Sequence, residues 1–167
     1  KKSFWLLVHR RYREHIDRFK ELDLPLSINE KILIDGSQQT PLRIQALRQI
    51  VQHYPDSAGI ARDRARSAPI AALRVEAERL EADRSVRLQK LEQLTSDTHE
   101  MEIRQLAIRA IGAEKESETL ALLTAWLDAL EKDDLEPELH LDVLIAASMS
   151  DSEQLNNRAA RIKGGEG

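Results

Sequence analysis

Histidine is the side chain best suited to proton transfer and metal binding near neutral pH, and this chain has five: His9, His15, His53, His99 and His140. No two stand four apart on one predicted helix, and no His-Glu-x-x-His or Asp-rich calcium loop occurs, so each is expected to be a solvated or capping residue. The first two are near enough to the N-terminus to join a site supplied by another domain. Cysteine is absent, which removes disulfides, thiolate zinc sites and covalent haem attachment from this segment. The six glycines are scattered or terminal and form no phosphate-binding loop. Ser148-Met-Ser-Asp-Ser152 lacks the Gly-x-Ser-x-Gly frame of a nucleophile elbow and reads as a helix boundary. Asp133, Asp134, Glu136 and Glu138 are the densest carboxylates. They are expected to form a solvated turn, with Glu136 and Glu138 near a helix N-terminus, and weak cation binding is the alternative. No catalytic, cofactor-binding or metal-ligating residue is therefore expected.

The arginines are more informative, because they recur. A template of an apolar residue, Arg, two variable residues, Ala, one variable residue and Arg fits Leu42, Arg43, Ala46 and Arg48, then Leu73, Arg74, Ala77 and Arg79, then Ile103, Arg104, Ala107 and Arg109. Leu139, His140 and Val143 keep its shape without its chemistry. The starts are 31, 30 and 36 residues apart, a period characteristic of units that stack to share one core. Equivalent residues line up in such a stack. Arg43, Arg74 and Arg104 are thus expected to form a structural ladder compensated by acids, in preference to a phosphate-binding row.

The elements that must carry these residues are helical. Aromatics make up 4% of the chain, and Ala, Leu, Arg and Glu dominate, which favours helices over strands. Phe4, Trp5, Val8, Tyr12, Ile16 and Phe19 predict an amphipathic helix over 3–20, too short in its apolar run to span a bilayer, which needs about 20 residues. Its stripe of Trp5, Tyr12 and Phe19 either caps the open end of the core or docks another domain, and capping is preferred. Glu14 and Asp17 interrupt its polar face, which counts against an interfacial membrane helix.

Further helices are predicted over 27–35, 40–54, 68–80, 85–94 (packing back on 68–80), 101–112, 117–130, 138–148 and 151–162. The stretch 57–66, with Gly59 and few apolar residues, reads as a loop with one helical turn. Gly112 is expected to close its helix as a left-handed cap. Leu120, Leu123, Leu127 and Leu130, with Trp126 beside them, make the cleanest seam. Nothing alternates at period two, so no sheet is expected.

The net charge of −4 is mild, but its distribution is uneven. Seven Lys or Arg lie in 1–20, while 113–154 holds twelve Asp or Glu against two Lys. That balance disfavours nucleic acid as a partner along the array. The first residue is Lys1 and the tail is Gly-Gly-Glu-Gly, so both ends read as cuts through a longer polypeptide.

Paired helices with Pro near the start of the first and Ala and Arg within it resemble HEAT-type repeats, here in a compact form. The stretches 68–80, 103–112, 122–130 and 135–147 are similar to the helical-repeat region of large planctomycete-type (PVC-type) cytochrome c proteins, in which a propeller dehydrogenase-like domain precedes the repeats and a haem domain follows. The resemblance covers roughly 40–165 and includes no catalytic or haem-ligating motif; residues 1–40 have no counterpart. It implies an all-α, HEAT-like α-solenoid, a right-handed superhelix of antiparallel helix pairs. Residues 1–40 would be an N-terminal cap or docking segment, 41–163 the array and 164–167 the start of a linker. It also implies a periplasmic or extracytoplasmic redox parent, with haem c in an adjoining domain and none in this chain.

The expected function is a non-catalytic scaffold or spacer whose partners are proteins, as adjacent domains or subunits. One alternative is a HEAT-like DNA glycosylase, echoed only by Trp126 beside Asp128. Another is a free-standing structural subunit of a complex.

Overall fold

The computed structural model describes residues 24–114 and 117–164. The predicted helix over 3–20, with Trp5, Tyr12 and Phe19, lies outside the described residues, as do His9, His15 and the linker residues 165–167. Every regular element among the described residues is helical, as the composition and the absence of period-two alternation require.

The helices are α1 (Leu26–Ile34), α2 (Thr40–His53), α3 (Pro55–Arg66), α4 (Ala71–Arg79), α5 (Arg84–Gln93), α6 (Met101–Ala113), α7 (Ser117–Glu131), α8 (His140–Met149) and α9 (Glu153–Lys163), with a 3-10 turn at Pro137–Leu139 before α8. They divide into two compact units between Leu80 and Glu81.

In the first unit, α2 is central and packs on α1, α3 and α4. Ala46, Leu47 and Ile50 fall on one face of α2 at helical spacing and are fully buried. They meet Leu33, Ala61, Ala65, Leu73 and Ala77. The stretch 57–66 is a complete helix, not a loop with one turn. Pro55 opens it at the position where a missing N–H costs nothing, Asp56 sits in its first turn, and Arg64 and Arg66 sit in its last. Its buried face is only Ala61 and Ala65, small enough for close approach but weak as an apolar signal. Gly59 lies on the exposed side, where it costs propensity but breaks nothing. Helix α4 begins at Ala71, two residues past Pro69, so Ala68 is buried ahead of the helix.

In the second unit, α6 and α8 pack most extensively. Helix α5 lies on α6, and α7 and α9 lie on α8 and on each other. Leu123 and Leu127 of α7 are fully buried among Ile108, Val143, Ala146, Ala147, Leu155 and Ala159, while Leu120, Trp126 and Leu130 pack at the edge. The predicted seam is therefore the buried face of α7.

Gly112 does not close α6. It lies within the helix, is buried, and has no positive φ. A Cβ built on it would stand 2.5 Å from Ala146 Cα and 2.6 Å from Ala146 O, so glycine is what lets α6 and α8 approach. The left-handed residue that does end a helix is Asp133, with φ 59°. Asp133 N–H donates to Leu130 O, and Asp134 N–H donates to Ala129 O, the Schellman pattern that closes α7.

Candidate functional site

The template residues recur in four of the described helices, so their places can be numbered from the first apolar residue. Place five, occupied by Ala46, Ala77, Ala107 and Val143, is completely buried in all four helices. Places two and seven carry the arginines, and the structure gives them different tasks.

At place two, Arg43 Nε donates to Leu33 O at 2.8 Å, and Arg104 Nε donates to Thr95 O at 3.2 Å. His140, at the same place in α8, donates from Nε2 to Leu135 O at 2.9 Å. Each binds a carbonyl in the segment preceding its own helix. For Arg43 that carbonyl belongs to the last turn of α1, where carbonyls lack intrahelical partners and the dipole favours a cation, and for Arg104 it belongs to the turn just past the end of α5. Both guanidinium groups are largely buried. Arg104 also pairs with Glu136, in the turn before α8. Arg74 is half-buried and makes no side-chain hydrogen bond or ion pair with a described residue. Of the expected ladder residues Arg43, Arg74 and Arg104, Arg43 and Arg104 thus each tie a helix to the segment before it.

Place seven links one template helix to the next. Arg48 Nε of α2 donates to Glu76 Oε1 of α4 at 2.6 Å. Arg109 Nε of α6 donates to Asp142 Oδ1 of α8. Glu76 and Asp142 both occupy place four, so the same link is built twice, once in each unit. In each, the acid is buried and the arginine is about half exposed. Arg79, the third arginine at place seven, donates to Glu76 of its own helix, and place four of α6 is Leu106. The sequence template already contained Arg48 and Arg109. The acids do not stand out in the sequence, because only two of the four helices carry one.

Other cations are engaged within each unit. Arg66 grips Glu78 with Nε and Nη2 at 2.7 and 3.0 Å and also reaches Asp63. The bond to Glu78 raises its pKa against the opposing cost of burial. Arg158 of α9 binds Glu131 and Asp128 of α7. That raises the Arg158 pKa, with Glu131 the larger cause, and lowers that of Glu131. Arg87 bridges Glu114 and the carbonyl of Glu81. In the turn after α1, the Asp35 carboxylate accepts from Ser37 Oγ, Gln38 Nε2 and Ser37 N–H, and these bonds lower its pKa to about 2.

No group of three or more His, Asp or Glu could hold a metal ion among the described residues. In the acid cluster, Asp133 closes α7 and Glu136 is held by Arg104. Asp128 is bound by Arg158, and Trp126 packs at the edge of the core. An open groove of about 540 Å³ in the first unit is lined in part by Ile34, Ile60, Arg43, Asp63 and Arg64. Its Arg43 is committed to Leu33 O, and its Ser67 hydroxyl to Asp63 O. No helix among the described residues is long and apolar enough to cross a membrane. Comparison with family models, with curated proteins and with solved structures finds no match to this chain.

Proposed function

We propose that this chain is a non-catalytic scaffold, a HEAT-like helical-repeat array that serves as a spacer and docking surface between protein domains or subunits. The observation that carries this reading is the salt link from place seven to place four, made by Arg48 and Glu76 in one unit and by Arg109 and Asp142 in the other. Identical contacts at identical template places are what nearest-neighbour stacking of repeats produces. Packing of α2 on α4 and of α6 on α8 supports it further. Small-angle scattering tests the array: a solenoid of 167 residues gives an elongated distance distribution and a radius of gyration clearly above the roughly 15 Å of a compact globule. A compact profile overturns it.

Following the resemblance to planctomycete-type cytochrome c proteins, the parent is an extracytoplasmic redox protein with haem c in a neighbouring domain. A reading frame continuing into a Cys-x-x-Cys-His motif tests that placement. The glycosylase alternative requires a free carboxylate beside an aromatic and a basic groove. Engagement of Asp128 by Arg158 disfavours it, and retention on heparin at low salt would revive it.

A further inference from the structure

The internal interfaces of this fold show which face of a template helix receives the next one. In α6 it is built from places three, seven and ten. Gln105 Nε2 donates to Glu138 O at 2.8 Å, Arg109 holds Asp142, and Gly112 lies against Ala146. In α2 the same face sends Arg48 to Glu76. On α8 those places are Leu141, Ile145 and Ser148, with Met149 beside them. Leu141 is 58% exposed and Met149 39%, Ser148 is exposed and Ile145 half-buried. The Ser148 hydroxyl donates to Leu144 O of its own helix at 2.7 Å, so the face asks for no polar partner. Leucine and isoleucine therefore occupy on α8 two of the three places that α6 uses to hold α8, with Met149 adjoining them.

Resting on the repeat reading above, we propose that this face of α8 is a docking surface for one further template helix of the same polypeptide, seated on α8 as α8 is seated on α6. Continuity with the α6–α8 interface selects this occupant, because the exposed apolar places are those that interface uses. Helix α9 already returns against α7 and α8, completing the pair that, in a repeat array, precedes another template helix. The chemistry of the occupant follows from place seven. Ile145 replaces the arginine, so an acid at the occupant's fourth place would be buried without a cation. The docking helix is thus amphipathic, small or apolar at its contact, and neutral at that place.

The experiment compares Leu141→Asp in the 167-residue chain and in the product of the full reading frame that encodes it, should that be longer. In the shorter chain the substitution falls on open surface and shifts the melting temperature by less than about 2 °C. In the longer one it buries a charge and lowers the melting temperature by at least about 5 °C. Equal tolerance in both chains, or a reading frame that ends within a few residues of Gly167, overturns the proposal. Concentration-dependent self-association of the shorter chain that Leu141→Asp abolishes would also overturn it, by assigning the face to a second copy. Failure of the repeat reading itself is distinguishable, since it appears as a compact scattering profile of the unsubstituted chain.

Discussion

Replacing Gly112 by alanine sets two effects of known sign against each other. Alanine is better than glycine inside a helix by about 1 kcal/mol. Against this, the new methyl would meet Ala146 at 2.5 Å from Cα, 2.6 Å from O and 2.7 Å from Cβ, where unstrained carbon contacts lie at about 3.5–4.0 Å. Two of those three atoms are backbone, so α6 and α8 must separate by about 1 Å, which loosens the Gln105 and Arg109 links between them. Overpacking of this kind costs about 1–3 kcal/mol and sometimes more. Because the clash is with backbone, the cost falls at the upper end of that range, about 3 kcal/mol, and the net expectation is a loss of about 2 kcal/mol. Gly59 supplies the control, because it is also helical but a Cβ there meets nothing within 4 Å. Gly59→Ala should gain about 0.5–1 kcal/mol. Urea denaturation followed by circular dichroism at 222 nm measures both. Adding Ala146→Gly to Gly112→Ala should recover only part of the loss, since it removes the Cβ contact and leaves those with Cα and O. A Gly112→Ala chain as stable as its parent would refute the close-approach account of the α6–α8 interface.

Removing the Arg109 side chain with Arg109→Met strands the buried Asp142 carboxylate and should cost about 1–3 kcal/mol, less than for a fully buried pair because Arg109 is half exposed. The double variant Arg109→Met with Asp142→Leu should be more stable than that single variant, which a double-mutant cycle in urea reads directly. Asp133→Gly relieves a left-handed non-glycine residue at the end of α7 and should raise stability by about 0.5–1 kcal/mol, whereas Asp133→Val should lower it; thermal melts distinguish the two. The folded pKa of Asp35 is depressed to about 2, so its contribution is fully present above pH ~4 and is lost as pH falls from there toward 2. Asp35→Asn should therefore flatten that part of the stability–pH curve, and an unchanged curve would count against the Ser37 and Gln38 bonds.

Most of the helices could be read from the chain because their signals are local. Three- and four-residue spacing of apolar residues, prolines opening helices, and Leu123 and Leu127 at the centre of a seam each depend on neighbours within a few turns. The stretch 57–66 reads as a loop with one helical turn, although it is most of helix α3, for the converse reason. Its buried face is two alanines, which look neutral until another helix is found close enough to need them small. Gly112 shows the same limit: glycine near a predicted helix end suggests a cap, and only the position of Ala146 reveals that the missing Cβ serves packing.

The arginines mark where sequence stops deciding. Their recurrence is a pattern in the sequence, and the helix-forming composition agrees with the all-helical structure of the described residues. The pattern could not say which of the two arginines in each template joins successive helices. That depends on where the preceding carbonyls of Leu33 and Thr95 lie, and on whether an acid falls opposite place seven, as Glu76 and Asp142 do. Helical periodicity follows from the geometry of a single backbone, whereas the partner of a long, flexible guanidinium is chosen by the relative position of two helices, which only tertiary packing sets.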